Sequence, residues 1–210
     1  RGKPKYSTMI TKLWAFGPRS DFIIRVVRDL VAENTESQIM ILCHNRSLLT
    51  YLHDSIAQQE FATAGYYVGG MKQQALLETE GKQIVLATYA MAAEALDIKS
   101  LSILVMVTPK TDIIQSVGRI LRVKHENPII VDIVDPHDIF QNQWTQRRRY
   151  YKKCNYKILQ CDSNKYDGGN TKWRSLFLPA TKNNQVVDDD DDEKLPPAKC
   201  MIDVSIFKGL

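Results

Sequence analysis

The chain has 210 residues, 44% hydrophobic and 25% charged, enough for one domain of about 150 residues with additions and a core of its own. No apolar run approaches the ~18 residues of a membrane span and no signal-peptide pattern opens the chain, so neither a bilayer segment nor a secretory leader is expected. Net charge is +4, but the run DDDDDE at 188–193 leaves the remainder at +10. That balance suits a polyanionic partner, and equally a generally basic surface.

Taken in chain order, residues 20–33 repeat apolar side chains at Phe22, Ile23, Val26, Val27 and Leu30, which predicts an amphipathic helix with Ser20 as its N-cap. Short apolar runs then alternate with helical stretches: QIMILC (38–43), RSLLTYLHDSIAQQ (46–59), GYYV (65–68), KQIVLAT (82–88), LSILVMV (101–107) and PIIVDIV (128–134). Helical stretches near 89–96 and over 111–122 separate the last three. Continuously apolar strands alternating with helices predict an α/β fold, a parallel sheet covered on both faces, with functional residues at the carboxyl ends of the strands. A further helix near 138–152 leads into a strand at 156–161, and beyond about 163 DSNKYDGGNTKW reads as turns. Residues 181–199 are acidic, polar and Pro-containing, and disorder is expected there. The terminal MIDVSIFKGL is apolar enough to dock. The expected organisation is a linker over 1–19, a domain over 20–162, and a tail over 163–210. Because the chain starts at Arg1, it is expected to be a fragment of a longer protein.

Cysteines stand at 43, 154, 161 and 200, without a C-x-x-C pair, and no histidine follows 137. That argues against a zinc site and a disulfide framework, and for free thiols in a reducing compartment.

The stretch TDIIQSVGRILR (111–122) carries more than a core-facing stripe. Opposite Ile113, Ile114, Val117, Ile120 and Leu121 it aligns Gln115, Gly118, Arg119 and Arg122 on one helical face. A glycine inside a helix costs about 1 kcal/mol relative to alanine. Two guanidiniums a turn apart can reach adjacent oxygens of one triphosphate, and a missing side chain between them permits close approach. The competing account is a solvated basic face with an incidental glycine.

QSVGRILR resembles motif VI of superfamily 2 helicases, with its pattern Q-x-x-G-R-x-x-R. ATYAMAAEALDI (87–98) resembles motif V, IMILCHNR (39–46) motif IV, and GYYVGGMK (65–72) the loop after motif IV, all in the family's order over roughly 20–160. The segment VDIVDPHDIFQNQWTQRRRYYKK (131–153) is similar to the one that follows motif VI in helicases of large cytoplasmic DNA viruses, the poxvirus transcript-release type. The resemblance implies the second RecA-like lobe of a two-lobed motor, working in viral transcription or genome processing in the host cytoplasm, a viral factory or the virion. Motif V departs from the pattern in having Ala95 where glycine is common.

The resemblance also implies roles. Arg119 and Arg122 would stabilise the γ-phosphate of ATP, with Arg122 the arginine finger, worth about 10³–10⁵ in rate. Gln115 and Gly118 would stand beside the nucleotide, Asp97 would face the ribose, and Glu94 would couple the nucleotide cleft to the nucleic-acid track. Asp97 also reads as a helix or turn cap. Thr88 would bind a phosphate of DNA or RNA, independent of sequence, and His44, Asn45 and Arg46 would touch the same strand. Asn45 reads equally as an N-cap. Gly69 and Gly70 allow close backbone approach, or form a simple turn. RRRYYKKCNYK (147–157) suits stacking on single-stranded nucleic acid, or a helix end with its lysines in solvent.

No G-x-x-x-x-G-K-[ST] phosphate loop or D-E-x-[DH] motif occurs in the chain. The Mg2+ ligands are therefore expected on a first RecA-like lobe, the implied partner of this one, and the 210 residues alone are expected to turn over no ATP. Transcription machinery is a further candidate partner and a membrane is not. The alternative is a non-catalytic RecA-like module that binds nucleic acid or protein. The acidic run 188–193 reads as a solubilising linker, or as a nucleic-acid mimic folded over the basic track.

Overall fold

The computed structural model describes residues 5–92, 98–111, 113, 128–179 and 201–206. Within them, β1 (Gln38–Cys43), β2 (Ala64–Tyr67), β3 (Ile84–Thr88), β4 (Leu101–Met106), β5 (Ile129–Val134), β6 (Lys157–Asp162), β7 (Arg174–Phe177) and β8 (Met201–Ile206) form one sheet in the order β2-β3-β1-β4-β5-β8-β6-β7. All neighbours are parallel except β6 and β7. Helices α1 (Tyr6–Ala15), α2 (Gly17–Glu33), α3 (Arg46–Gln59), α4 (Gln73–Glu80) and α5 (Asp138–Lys153) accompany it. This is the parallel α/β sheet expected from the alternating pattern, and the RecA-like arrangement that the resemblance implied.

Period-2 alternation divides each central strand between two cores. Ile39, Ile41, Ile84, Leu86, Ile103 and Val105 meet Phe22, Ile23 and Val27 of α2 and Leu48, Leu52 and Ile56 of α3. Met40, Leu42, Val85, Leu104 and Met106 point the other way, into the layer that holds Trp144 and Tyr151 of α5. Burial on both faces is why these strands read as unbroken apolar runs.

Several elements differ from their expected form. Helix α2 begins at Gly17 rather than after Ser20, with Phe16 at the N-cap, Pro18 in the first turn, and Ser20 buried within the helix. Proline's fixed φ suits a first turn, and the earlier start brings Arg19 inside the fold. Residues 6–15, expected as linker, form α1, which packs through Met9 and Ile10 onto Phe140. The tail also joins the sheet: β7 pairs with β6, and β8 lies between β5 and β6, which is where the apolar C-terminal stretch docks. The acidic segment 181–199 lies outside the described residues. Helix α4, absent from the sequence reading, buries only Leu76 and Thr79, too few apolar positions to show a period.

The packing of α4 on β2 depends on a missing side chain. A Cβ on Gly65 would stand 2.7 Å from Thr79 Oγ1, and that hydroxyl donates to Tyr66 O and Ala75 O at 2.9 and 3.1 Å. Gly65→Ala is expected to destabilise the fold by about 1–3 kcal/mol, read as a lower urea midpoint.

The C-terminal part of α5 corrects the reading of 147–157 as a stacking surface. Phe140, Trp144, Arg147 and Tyr151 share the buried face of the helix, and Tyr156 beyond it is buried too. Arg147 and two of the three tyrosines of that segment therefore face inward.

Candidate nucleotide and nucleic-acid interface

Parallel strands place their following loops at one edge. Cys43 pairs with Thr88, Tyr67 with Ala87, Leu42 with Met106, and Met106 with Asp132. The loops after β1, β2, β3, β4 and β5 consequently emerge side by side, and they carry His44, Asn45, Arg46, Gly69, Gly70 and Thr88. Glu94, Asp97, Gln115, Gly118, Arg119 and Arg122 lie outside the described residues, so their expected roles rest on the sequence.

Asn45 caps α3: its side-chain oxygen accepts from Leu48 N–H at 3.2 Å. Arg46, exposed in the first turn, donates from its guanidinium to Gly69 O, which ties the loop after β1 to the loop after β2. Gly70 takes φ +84°, a left-handed conformation that side-chain-bearing residues rarely adopt, whereas a Cβ on Gly69 would meet nothing closer than 3.8 Å. Thr88 is half-buried at the end of β3, and its carbonyl accepts from Met91 N–H at 3.0 Å.

His44 is an exposed residue whose ring is nonetheless crowded. It lies edge-on to Tyr6 and tilted over Tyr89, with centroids 6.1 and 4.7 Å away. Its backbone N–H donates to Thr108 Oγ1 at 3.0 Å, and its Nδ1 lies 2.8 Å from the same oxygen. A neutral ring can accept a hydrogen bond from that hydroxyl at Nδ1. This arrangement favours the tautomer with a proton on Nε2. Burial of the ring, then the charge of Lys110, push its pKa down to about 4. His44 therefore presents a neutral ring at this edge, not a cation.

The shift has a sign. With the folded pKa below 6.5, the unfolded chain binds more protons between 6.5 and about 4. The stability contribution is complete above pH 6.5 and is lost as pH falls towards 4. His44→Asn is expected to remove that part of the acid sensitivity, seen as a smaller fall in melting temperature across this window. Nearby, burial pushes the Cys43 thiol up to about 11, so it packs and does not react.

No pattern in the sequence marks the loop after β4. Val107, Thr108 and Pro109 are buried and Lys110 half-buried, with the Lys110 ammonium 4.8 Å from the centre of the Tyr89 ring. Two buried Arg–Asp forks flank this loop. Arg19 bonds both oxygens of Asp135 at 2.6 and 2.8 Å, and Arg147 bonds both oxygens of Asp132 at 2.6 and 2.8 Å. One signal was visible: Asp132 interrupts the apolar run PIIVDIV, and a carboxylate buried there requires a counterion.

Residues 23–124 match the helicase conserved C-terminal domain. That segment is similar to the family over β1 to β4 and the stretch that carries QSVGRILR. The mimivirus protein named "Putative ATP-dependent RNA helicase L396" is 40% identical over 161 residues, 74% of this chain and 31% of that protein. An African swine fever virus protein named "Putative ATP-dependent RNA helicase QP509L" is 29% identical over 136 residues, 60% of this chain and 26% of its own length. The chain thus spans about a third or less of the length of these two relatives. T4 UvsW superposes at TM-score 0.55 and 19% identity over 73% of this chain and 36% of its own. The C-terminal part of the Fun30 ATPase domain does so at 0.52 and 10% over 63% and 46%. Both likenesses show the fold alone. The helicase domain match covers the loops after β1 to β4 and all of 111–122, so the edge described above, up to the loop after β4, lies within the matched segment.

Proposed function

We propose that this domain is the second motor lobe of an ATP-dependent helicase or translocase, which moves single-stranded nucleic acid along the edge formed by the loops after β1, β2 and β3. The observation that carries the reading is the convergence of His44, Arg46, Gly69, Gly70 and Thr88 at that edge, next to the loop that leads into QSVGRILR. Arg46 and the Thr88 hydroxyl would hold phosphates, the Nε2–H of His44 would add a neutral donor, and Asn45 would orient the first turn of α3 towards the strand. Gly69 and Gly70 would let the backbone approach.

Arg119 and Arg122 would stabilise charge on the γ-phosphate of ATP bound between two lobes, with Gln115 and Gly118 beside the nucleotide, Asp97 at the ribose and Glu94 linking cleft and track. When bound, Mg2+ would neutralise phosphate charge from the other lobe. RNA is the substrate suggested by the names of the mimivirus and African swine fever virus relatives, and a role in viral transcription or genome processing goes with it.

Phosphate contacts predict sequence-independent binding. Arg46→Ala in the full-length protein is expected to weaken single-strand binding equally across sequences and to reduce the salt slope by about 1. Titrations of mixed-sequence RNA and DNA strands at several salt concentrations test this. An unchanged slope, or a loss confined to one sequence, would remove Arg46 from the track. ATP hydrolysis by the full-length protein that no single strand stimulates would remove the motor reading itself.

A further inference from the structure

Loops at the carboxyl edge of a sheet ordinarily give their carbonyls to water. The loop after β4 does not. Its four successive carbonyls each accept a hydrogen bond from a side chain on a different part of the fold. Arg19 Nη2 of α2 donates to Val107 O at 2.6 Å, and the Tyr89 hydroxyl beyond β3 to Thr108 O at 2.8 Å. The Tyr6 hydroxyl of α1 donates to Pro109 O at 2.6 Å, and Arg147 Nη1 of α5 to Lys110 O at 2.7 Å.

Four donors on four consecutive carbonyls over-determine the path of a backbone. Proline at 109 restricts it further by fixing φ. Each donor lies far from the loop in sequence except Tyr89, so nothing local requires the arrangement. Four residues beyond Lys110 the chain reaches 114–122, which carries Arg119 and Arg122.

The donors are not equally secured. Arg19 and Arg147 are locked by their aspartates, and Tyr89 is buried. Tyr6 is half-buried on α1, whose apolar anchorage is the small cluster of Met9, Ile10 and Phe140. Its hydroxyl also accepts from Gln143 Nε2 at 3.4 Å.

We propose that Tyr6 is a positioning residue for the loop that leads into the arginine segment: its hydroxyl closes a four-donor clamp on residues 107–110, and through it α1 fixes the path of the chain towards Arg119 and Arg122. The inference rests on the motor reading for its consequence and on hydrogen-bond geometry for its cause. A guanidinium displaced by a fraction of an ångström from a transferring phosphoryl group loses transition-state stabilisation with little loss of ground-state binding.

The test compares Tyr6→Phe and Tyr6→Leu with wild type in the full-length protein. Tyr6→Phe deletes one hydroxyl and keeps the ring against His44 and Phe140. It is expected to lower kcat for nucleic-acid-stimulated ATP hydrolysis about tenfold, with KM for ATP and melting temperature nearly unchanged. Hydrogen exchange over 111–122 is expected to quicken in parallel. Tyr6→Leu is expected to lose the same kcat and, in addition, melting temperature. If Tyr6→Phe matches wild type in kcat and exchange while Tyr6→Leu loses activity and stability together, Tyr6 only packs and the clamp proposal is overturned. If wild type itself shows no stimulated hydrolysis, the motor reading fails, and quickened exchange in Tyr6→Phe still supports the clamp. Unchanged exchange overturns it.

Discussion

Replacing Arg122 with alanine in the full-length protein is expected to lower nucleic-acid-stimulated ATP hydrolysis by about a hundredfold or more, on the order of 3 kcal/mol, while leaving single-strand affinity within about twofold. In phosphoryl transfer the protein supplies mainly positioning and charge, so a guanidinium aimed at the γ-phosphate acts most strongly where charge shifts in the transition state. Arg122→Lys tests the geometry. An ammonium keeps the charge but not the planar fork, and recovery is expected to be partial. Arg119→Ala is expected to fall in the same direction. If wild type and Arg122→Ala turn over ATP alike, the aligned face of QSVGRILR is not a catalytic surface, and this lobe is a binding module that carries the motif.

Legibility of the fold in the sequence varied with the physics of each element. Strand β1 and helix α3 were readable to the residue, as 38–43 and 46–59. A strand buried on both faces is an apolar run with abrupt ends, and Asn45 is a strong cap. The start of α2 was misplaced because a local preference for serine at the cap lost to a long-range one, the Arg19–Asp135 pair, for which periodicity has no symbol. Helix α4 buries two residues and strand β7 none, and so both leave weak patterns.

At the carboxyl edge of the sheet, motif spacing located His44, Asn45, Arg46, Gly69, Gly70 and Thr88 in one place, because parallel strands convert sequence order into spatial neighbourhood. It gave no hint of Tyr6, Tyr89, Thr108 or the clamped carbonyls. Side-chain bonds to a backbone 103 residues away, such as Tyr6 to Pro109, leave no periodic trace. Arg147 sat within a basic aromatic cluster, and its neighbours in sequence suggested nucleic acid where its neighbours in space are carboxylate and carbonyl oxygens.

That arginine carries the largest stability effect expected here. Arg147→Met keeps the length of the side chain and removes its charge, which leaves Asp132 buried without a counterion and Lys110 O without its donor. Breaking one partner of a buried pair costs about 3–5 kcal/mol, a large share of a domain's total stability. Asp132→Leu, which strands the guanidinium instead, is expected to cost a similar amount. The pair itself need not be stabilising, because desolvation of both charges offsets their attraction. The double variant Arg147→Met with Asp132→Leu is therefore expected to be less destabilised than either single change, as measured by urea unfolding of all four proteins. What it does not restore is the bond to Lys110 O. A double variant that regains stability but hydrolyses ATP more slowly than wild type would separate the two tasks of Arg147, neutralising β5 and holding the loop that leads to the arginine segment. Additive losses in the cycle would instead show that the two side chains act independently and that the fork contributes nothing as a unit.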